Sequence, residues 1–250
     1  MLSLIGLGLW DEEDVSLKGV NRAKNVDKVY MESYTSKWHG NLEKLEKIIG
    51  KRIELLKREN LEEKSDEIIK EAKDKKVAIF VLGDPLIATT HISLLSDAKK
   101  FGIKTEIIHN ASIYSAIGET GLHAYKFGST VTIPFPEKTS NKFPESTFES
   151  IKENKKIGLH TLLLLDIISE KNRYMTPNES MKILLGTKIF TNNTEVVVFA
   201  RAGSKDPLIL YGKVKDLIEK ELGEPPFVLI FPGKLHFTEK EYLEMFRVKE

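Results

Sequence analysis

Val77-Ala78-Ile79-Phe80-Val81-Leu82-Gly83-Asp84-Pro85 is the stretch on which the reading of this chain turns. Six consecutive apolar residues, with no polar position among them, match a strand buried on both faces rather than one that shows alternate side chains to water. Gly83 and Pro85 end the run, because neither supports a continued ladder. Working outward, Leu2–Leu7, Lys28–Ser33, Arg52–Leu56 and Lys104–His109 read as further strands. Helical spacing fills the intervals. Ser16 caps a helix to about Val26, and Asn41–Ile49 places Leu42, Leu45, Ile48 and Ile49 on one face. Leu61–Lys73 and Ala88–Phe101 complete the set, and Ser112 caps a short helix to about Ile117. Successive units of this kind predict a parallel sheet covered on both faces.

The pattern changes after Gly118. Glycines and prolines crowd the segment to Pro144, around one strand-like run at Ser129–Ile133. A boundary near this point gives domains 1–120 and 121–250. The second half mixes strands (Thr161–Asp166, Glu195–Arg201, Leu208–Tyr211, Phe227–Phe231) with helices (Phe148–Lys155, Pro177–Leu185, Val214–Leu222, Thr238–Phe246). Gly203-Ser204-Lys205-Asp206-Pro207 separates two strands as a hairpin would, so the second sheet is predicted to be mixed. The apolar run Leu159–Ile168 contains His160 and Asp166 and reads as a buried strand.

Composition narrows the function. With 37 acidic and 38 basic residues, the chain has no global field to attract nucleic acid or an anionic membrane. There is no cysteine, which excludes disulfides, thiolate catalysis and cysteine-type zinc sites. No run approaches the roughly 18–20 apolar residues of a membrane span. The six histidines form no His-x-x-x-His pair, and no metal site is expected. His109 and His160 lie on strand-like runs and read as structural.

Two turns carry the candidate chemistry. Gly6-Leu7-Gly8 follows the first strand but lacks the third glycine of a dinucleotide fingerprint. Asp11, Glu12, Glu13 and Asp14 follow instead, and would repel a pyrophosphate. The turn suits either a tight strand exit or a cofactor that carries positive charge. Asp84 stands at the end of the central strand, where open α/β sheets place their ligands. It either caps the next helix or accepts a hydrogen bond from a ligand.

Longer strings are more specific. Ile5-Gly6-Leu7-Gly8-Leu9 with Asp11-Glu12 and Lys18-Gly19, Glu32-Ser33-Tyr34-Thr35-Ser36, Gly83-Asp84-Pro85-Leu86 with Ala88-Thr89-Thr90-His91, and His109-Asn110-Ala111-Ser112-Ile113-Tyr114-Ser115-Ala116 occur in order. Thr120-Gly121-Leu122-His123, Gly158-Leu159-His160-Thr161-Leu162-Leu163, Ala200-Arg201-Ala202-Gly203-Ser204 and Pro232-Gly233-Lys234-Leu235-His236 continue them. Together these resemble the diphthine synthases, a branch of the tetrapyrrole-methylase fold group, over nearly the whole chain. Members of the wider group often open with Gly-x-Gly-Pro-Gly-Asp. Here Gly6-Leu7-Gly8-Leu9-Trp10-Asp11 stands instead, which favours the diphthine branch over enzymes acting on tetrapyrrole precursors.

The resemblance implies an α/β protein of two domains, a cofactor in the cleft between them, a cytoplasmic setting and a homodimer. It implies S-adenosylmethionine as cofactor, with S-adenosylhomocysteine as product. The expected substrate is the modified histidine of translation elongation factor 2, whose aminocarboxypropyl amine is trimethylated to diphthine. Cofactor contacts are expected at Leu9, Asp84, Ile87, Ser112, Ile113, Leu165, Ala202 and Phe227, the last through its backbone. The alternatives are a tetrapyrrole-precursor methyltransferase and a cofactor-binding module without turnover.

Overall fold

The computed structural model describes residues 1–249, and the chain divides into two compact units, Met1–Tyr114 and Ser115–Glu250. The first unit runs β1 (Leu2–Gly6), α1 (Leu17–Lys24), β2 (Lys28–Glu32), α2 (Leu42–Ile49), β3 (Ile53–Leu56), α3 (Arg58–Glu62), α4 (Ser65–Asp74), β4 (Val77–Val81), α5 (Ile92–Lys100) and β5 (Thr105–Ile108). Its five strands are all parallel, in the order β3-β2-β4-β1-β5.

The decisive apolar run is the middle strand β4, and its period of two explains why no polar residue interrupts it. Val77, Ile79 and Val81 pack with Ile68, Ile69 and Ala72 of α4 and Leu94, Leu95 and Ala98 of α5. Ala78, Phe80 and Leu82 pack on the opposite side with Val20 and Ala23 of α1 and Leu45 and Ile49 of α2. Ser16 caps α1 by accepting from the Gly19 N–H at 3.1 Å, and Asn41 caps α2 through the Lys44 N–H at 3.0 Å.

Two helices differ from the sequence reading. The expected helix Leu61–Lys73 is broken, because the N–H groups of Glu63 and Lys64 both turn back to the Glu59 carbonyl and close α3. The helix expected from Ala88 begins only at Ile92. Ala88 has φ +55°, outside the helical region, and the Thr89 hydroxyl donates to the Pro85 carbonyl at 2.8 Å, which holds residues 85–91 as a loop.

A short helix, α6 (Ile113–Ala116), leads into the second unit. There follow β6 (Val131–Ile133), α7 (Glu145–Lys156), β7 (Thr161–Leu165), β8 (Ile167–Ile168), β9 (Arg173–Tyr174), α8 (Pro177–Gly186), β10 (Glu195–Ala200), β11 (Leu208–Lys213), α9 (Val214–Leu217), β12 (Phe227–Phe231) and α10 (Phe237–Glu244). The main sheet is mixed, ordered β11-β10-β12-β7-β6, with β6 and β7 parallel and the other pairs antiparallel. The hairpin β10–β11 forms as the glycine-proline turn implied.

The run Leu159–Ile168 is two strands rather than one. Asp166 interrupts it by accepting from the Phe135 and Ile167 N–H groups at 2.9 and 2.8 Å, and β8 then pairs with β9. The helix expected over Val214–Leu222 stops at Leu217. The core of this unit joins Val196, Val198, Leu163 and Leu229 of the sheet with Met181 and Leu184 of α8 and Ile151 of α7. No helix among the described residues is long and apolar enough to cross a membrane.

Candidate active site

Strands β4, β1 and β5 are adjacent and parallel, so the loops leaving their C-terminal ends gather at one rim of the first sheet. Such a rim is where open parallel sheets bind ligands. Gly8 and Gly83 clasp two of the loops by exchanging backbone hydrogen bonds of 3.2 and 2.9 Å. A Cβ on Gly6 would lie 2.6 Å from the Gly83 carbonyl oxygen and 2.7 Å from Asn110 Cβ. Gly8 has φ +89°, and a Cβ there would lie 2.4 Å from that of Asp14. Both glycines are therefore required by close packing of the protein on itself.

The turn after β1 has no N–H left for a phosphate. The Leu7 N–H donates to the Val81 carbonyl at 2.8 Å and Gly8 to Gly83. The Leu9 and Trp10 N–H groups donate to Asp14 Oδ2 at 3.1 and 2.7 Å. The Asp14 carboxylate thus occupies the place an anionic ligand would need. Two neighbouring carboxylates are also engaged. Asp11 accepts from the Glu13 N–H at 2.9 Å. Burial would raise the Glu12 carboxyl, but the Asn41 N–H at 2.7 Å and the Lys44 ammonium at 3.2 Å bring it below its ordinary value.

Asp84 is 6% exposed and does not cap α5, which starts eight residues later. Its Oδ1 accepts from the Leu86 N–H at 3.0 Å. Its Oδ2 accepts from His109 Nδ1 at 2.8 Å and from the Asn110 N–H at 3.2 Å. A carboxylate offers about four acceptor positions, so one remains, on Oδ1. Ile87 lies in the same loop, its N–H 3.3 Å from the Asp84 carbonyl oxygen. Ser112 is buried at the exit of β5, where its hydroxyl accepts from the Tyr114 N–H at 3.3 Å. Leu9, Asp84, Ile87 and Ser112, far apart in sequence, thus occupy three loops of one rim, and Ile113 opens α6 directly after the third.

The remaining three expected residues stand together in the second unit. Leu165 ends β7, Phe227 begins the antiparallel neighbour β12, and Ala202 follows the end of β10, whose Ala200 pairs with Phe227. Arg201 fixes this corner. Its backbone has φ +55°, its N–H donates to the Pro226 carbonyl at 2.9 Å, and its guanidinium donates to the carbonyls of Leu222 and Asp206 at 2.7 and 3.0 Å.

The sequence reading missed several residues that build these rims. Glu32 is fully buried at the end of β2 and accepts from the Tyr34, Thr35 and Leu82 N–H groups at 2.9, 3.1 and 2.9 Å and from the Thr35 hydroxyl. A carboxylate closing an otherwise buried strand was the available signal. Asn110 donates to the carbonyls of Gly6 and Asp14 at 3.0 and 2.9 Å. No local pattern marks Asn110 or Arg201. His160 is structural as read: its ring is buried, Nδ1 accepts from the Gly233 N–H at 2.9 Å, and Nε2 lies 2.9 Å from Glu239. His109 stands just beyond β5 with its side chain 67% exposed.

Known proteins agree with this architecture. The family described as tetrapyrrole (corrin/porphyrin) methylases matches residues 1–218. The diphthine synthase of Methanocaldococcus jannaschii is 49% identical over 98% of this chain and 98% of its own. That of Methanococcus aeolicus is 48% identical over 98% of this chain and 97% of its own. A crystal structure of diphthine synthase superposes with a TM-score of 0.90 at 38% identity, covering 98% of this chain and 95% of that one.

Proposed function

The chain belongs to the diphthine synthases of the tetrapyrrole methylase family, and from this we infer that it methylates the modified histidine of translation elongation factor 2, making diphthine. S-adenosylmethionine is the proposed donor, and it supplies a methyl group already activated on a sulfonium. The acceptor is the amine of an aminocarboxypropyl arm, methylated three times. The protein's task in such a transfer is alignment and exclusion of water rather than strong acid or base catalysis of the transfer itself.

The observation that carries this reading is the donor census of the β1 turn. Four consecutive N–H groups, Leu7 to Trp10, are spent on protein acceptors, and one acceptor is a carboxylate. A pyrophosphate finds neither donors nor a favourable field there, whereas a sulfonium zwitterion is not repelled. The open acceptor position on Asp84 Oδ1 suits a hydroxyl or ammonium of the cofactor. Leu9, Asp84, Ile87, Ser112 and Ile113 of the first unit are assigned as cofactor contacts, as are Leu165, Ala202 and Phe227 of the second. Several are apolar and serve through packing and main-chain hydrogen bonds. A homodimer and a cytoplasmic location complete the reading.

The test is calorimetric titration with S-adenosylmethionine and, in parallel, with a nicotinamide dinucleotide, followed by mass spectrometry of elongation factor 2 bearing the unmethylated arm. Binding of the first ligand alone and a gain of three methyl groups on the factor are expected. Methyl gain on a tetrapyrrole precursor instead, or binding without any transfer, would reject the assignment.

A further inference from the structure

An amine attacks a methyl group through its lone pair, yet a primary, secondary or tertiary aliphatic amine is protonated near neutral pH. Each of three methylations must therefore begin with loss of a proton to some base, and the first unit's rim limits the choice.

Three of the carboxylates at the rim are held by protein donors. Asp14 holds two backbone N–H groups, Glu32 holds three and a hydroxyl, and Asp84 holds two with the His109 ring. The other histidines of this unit are occupied as well. His91 is buried, with Nδ1 3.3 Å from the Pro85 carbonyl oxygen and Nε2 3.4 Å from the Tyr34 hydroxyl. His39 stacks on Trp10, ring centroids 3.9 Å apart.

His109 differs from both. Its Nδ1 lies 2.8 Å from the buried Asp84 carboxylate, which can only accept, so Nδ1 carries a proton and donates it. In the neutral ring the lone pair is then on Nε2. Among the described residues Nε2 has no protein partner, and the side chain is largely open. A carboxylate that fixes the tautomer of an imidazole and steadies the imidazolium it becomes is the arrangement of an oriented proton acceptor. Here the carboxylate is the residue assigned above to the cofactor, and under that assignment the imidazole is the cofactor's near neighbour.

We propose that His109 Nε2 is the base that deprotonates the acceptor ammonium before each methylation. The inference rests on the amine-methylation reading above. The ammonium N–H bond breaks, its electron pair stays on nitrogen, and the proton forms an Nε2–H bond. The resulting imidazolium, paired with Asp84, gives that proton to bulk water before the next cycle.

His109→Asn separates this role from a structural one. Its amide keeps an N–H near the position of Nδ1, and so the Asp84 hydrogen bond, but removes the basic nitrogen. Methyl transfer to elongation factor 2 bearing the unmethylated arm is followed with saturating S-adenosylmethionine. A general base contributes about 10²–10⁴-fold. The expected result is a kcat about 100-fold or more below wild type, an unchanged calorimetric affinity for S-adenosylmethionine, and partial recovery on adding free imidazole. An unchanged kcat overturns the proposal, and so does a loss confined to cofactor affinity. Wild-type protein is examined alongside by imidazole ¹⁵N NMR without ligand. The Nδ1–H tautomer is expected at His109, against the Nε2–H form favoured by free imidazole side chains, and finding Nε2–H there overturns the proposal even if the variant does not fold. Failure of wild type to methylate the factor at all would instead strike the functional reading.

Discussion

Single residues at the first rim act by occupying one another. Gly8 shows this most directly, since a side chain there meets both a positive φ and the Asp14 Cβ at 2.4 Å. The conformational cost alone is about 1–2 kcal/mol, and displacing Asp14 releases the Leu9 and Trp10 N–H groups. Gly8→Ala is expected to lower the midpoint of urea unfolding and to weaken S-adenosylmethionine binding together. Asp84→Ala is expected to weaken that binding roughly 10- to 100-fold, because a hydrogen bond to a charged group contributes about 1.5–3 kcal/mol. Calorimetry with unchanged affinity would leave Asp84 only its contacts with Leu86, His109 and Asn110.

Elements are joined by two buried carboxylates. Glu32 links the exit of β2 to that of β4 through the Leu82 N–H. In Glu32→Gln one acceptor oxygen becomes an NH₂ group that faces backbone N–H donors, so a loss of about 2–3 kcal/mol in unfolding free energy is expected. Glu239 ties α10 to the start of β7. Burial alone would raise its carboxyl, but Lys126, the His123 and His236 N–H groups at 2.8 and 2.6 Å, and His160 bring it down to about 2.

The pH dependence of this hub follows from the sign of each shift. A depressed carboxyl contributes stability above its unfolded value, near 4.5, and loses it as pH falls toward 2. Burial lowers His160 below its usual 6.5, so the unfolded chain binds that proton first and stability begins to fall below pH 6.5. Hydrogen exchange at α10 and β7 is therefore expected to accelerate from about pH 6 downward, and further below 4.5. In Glu239→Gln the step below 4.5 should be absent. A pH-independent exchange rate, after correction for intrinsic chemistry, would contradict the hub.

At the scale of the molecule, two cores are built by different means. The first is a parallel sheet buried on both faces, and the second is a mixed sheet. Light scattering is expected to give twice the chain mass, and a monomer at micromolar concentration would remove the homodimer from the proposal. The strands and most helices were legible because apolar runs, periodicity and caps act within a few residues. The helix read from Ala88 forms but starts only at Ile92, because a positive φ at Ala88 and the Thr89 hydroxyl bond are set by the folded loop, not by spacing. The candidate site divides in the same way. Loop positions such as Gly83-Asp84-Pro85 follow from where a buried strand must end, and the sequence alone determined them. Which donor meets which acceptor was decided only by the tertiary structure. Asp84 reaches His109 across 25 positions and Glu239 reaches His160 across 79, and hydrogen bonds of under 3 Å depend on strand order and loop approach that no local window contains.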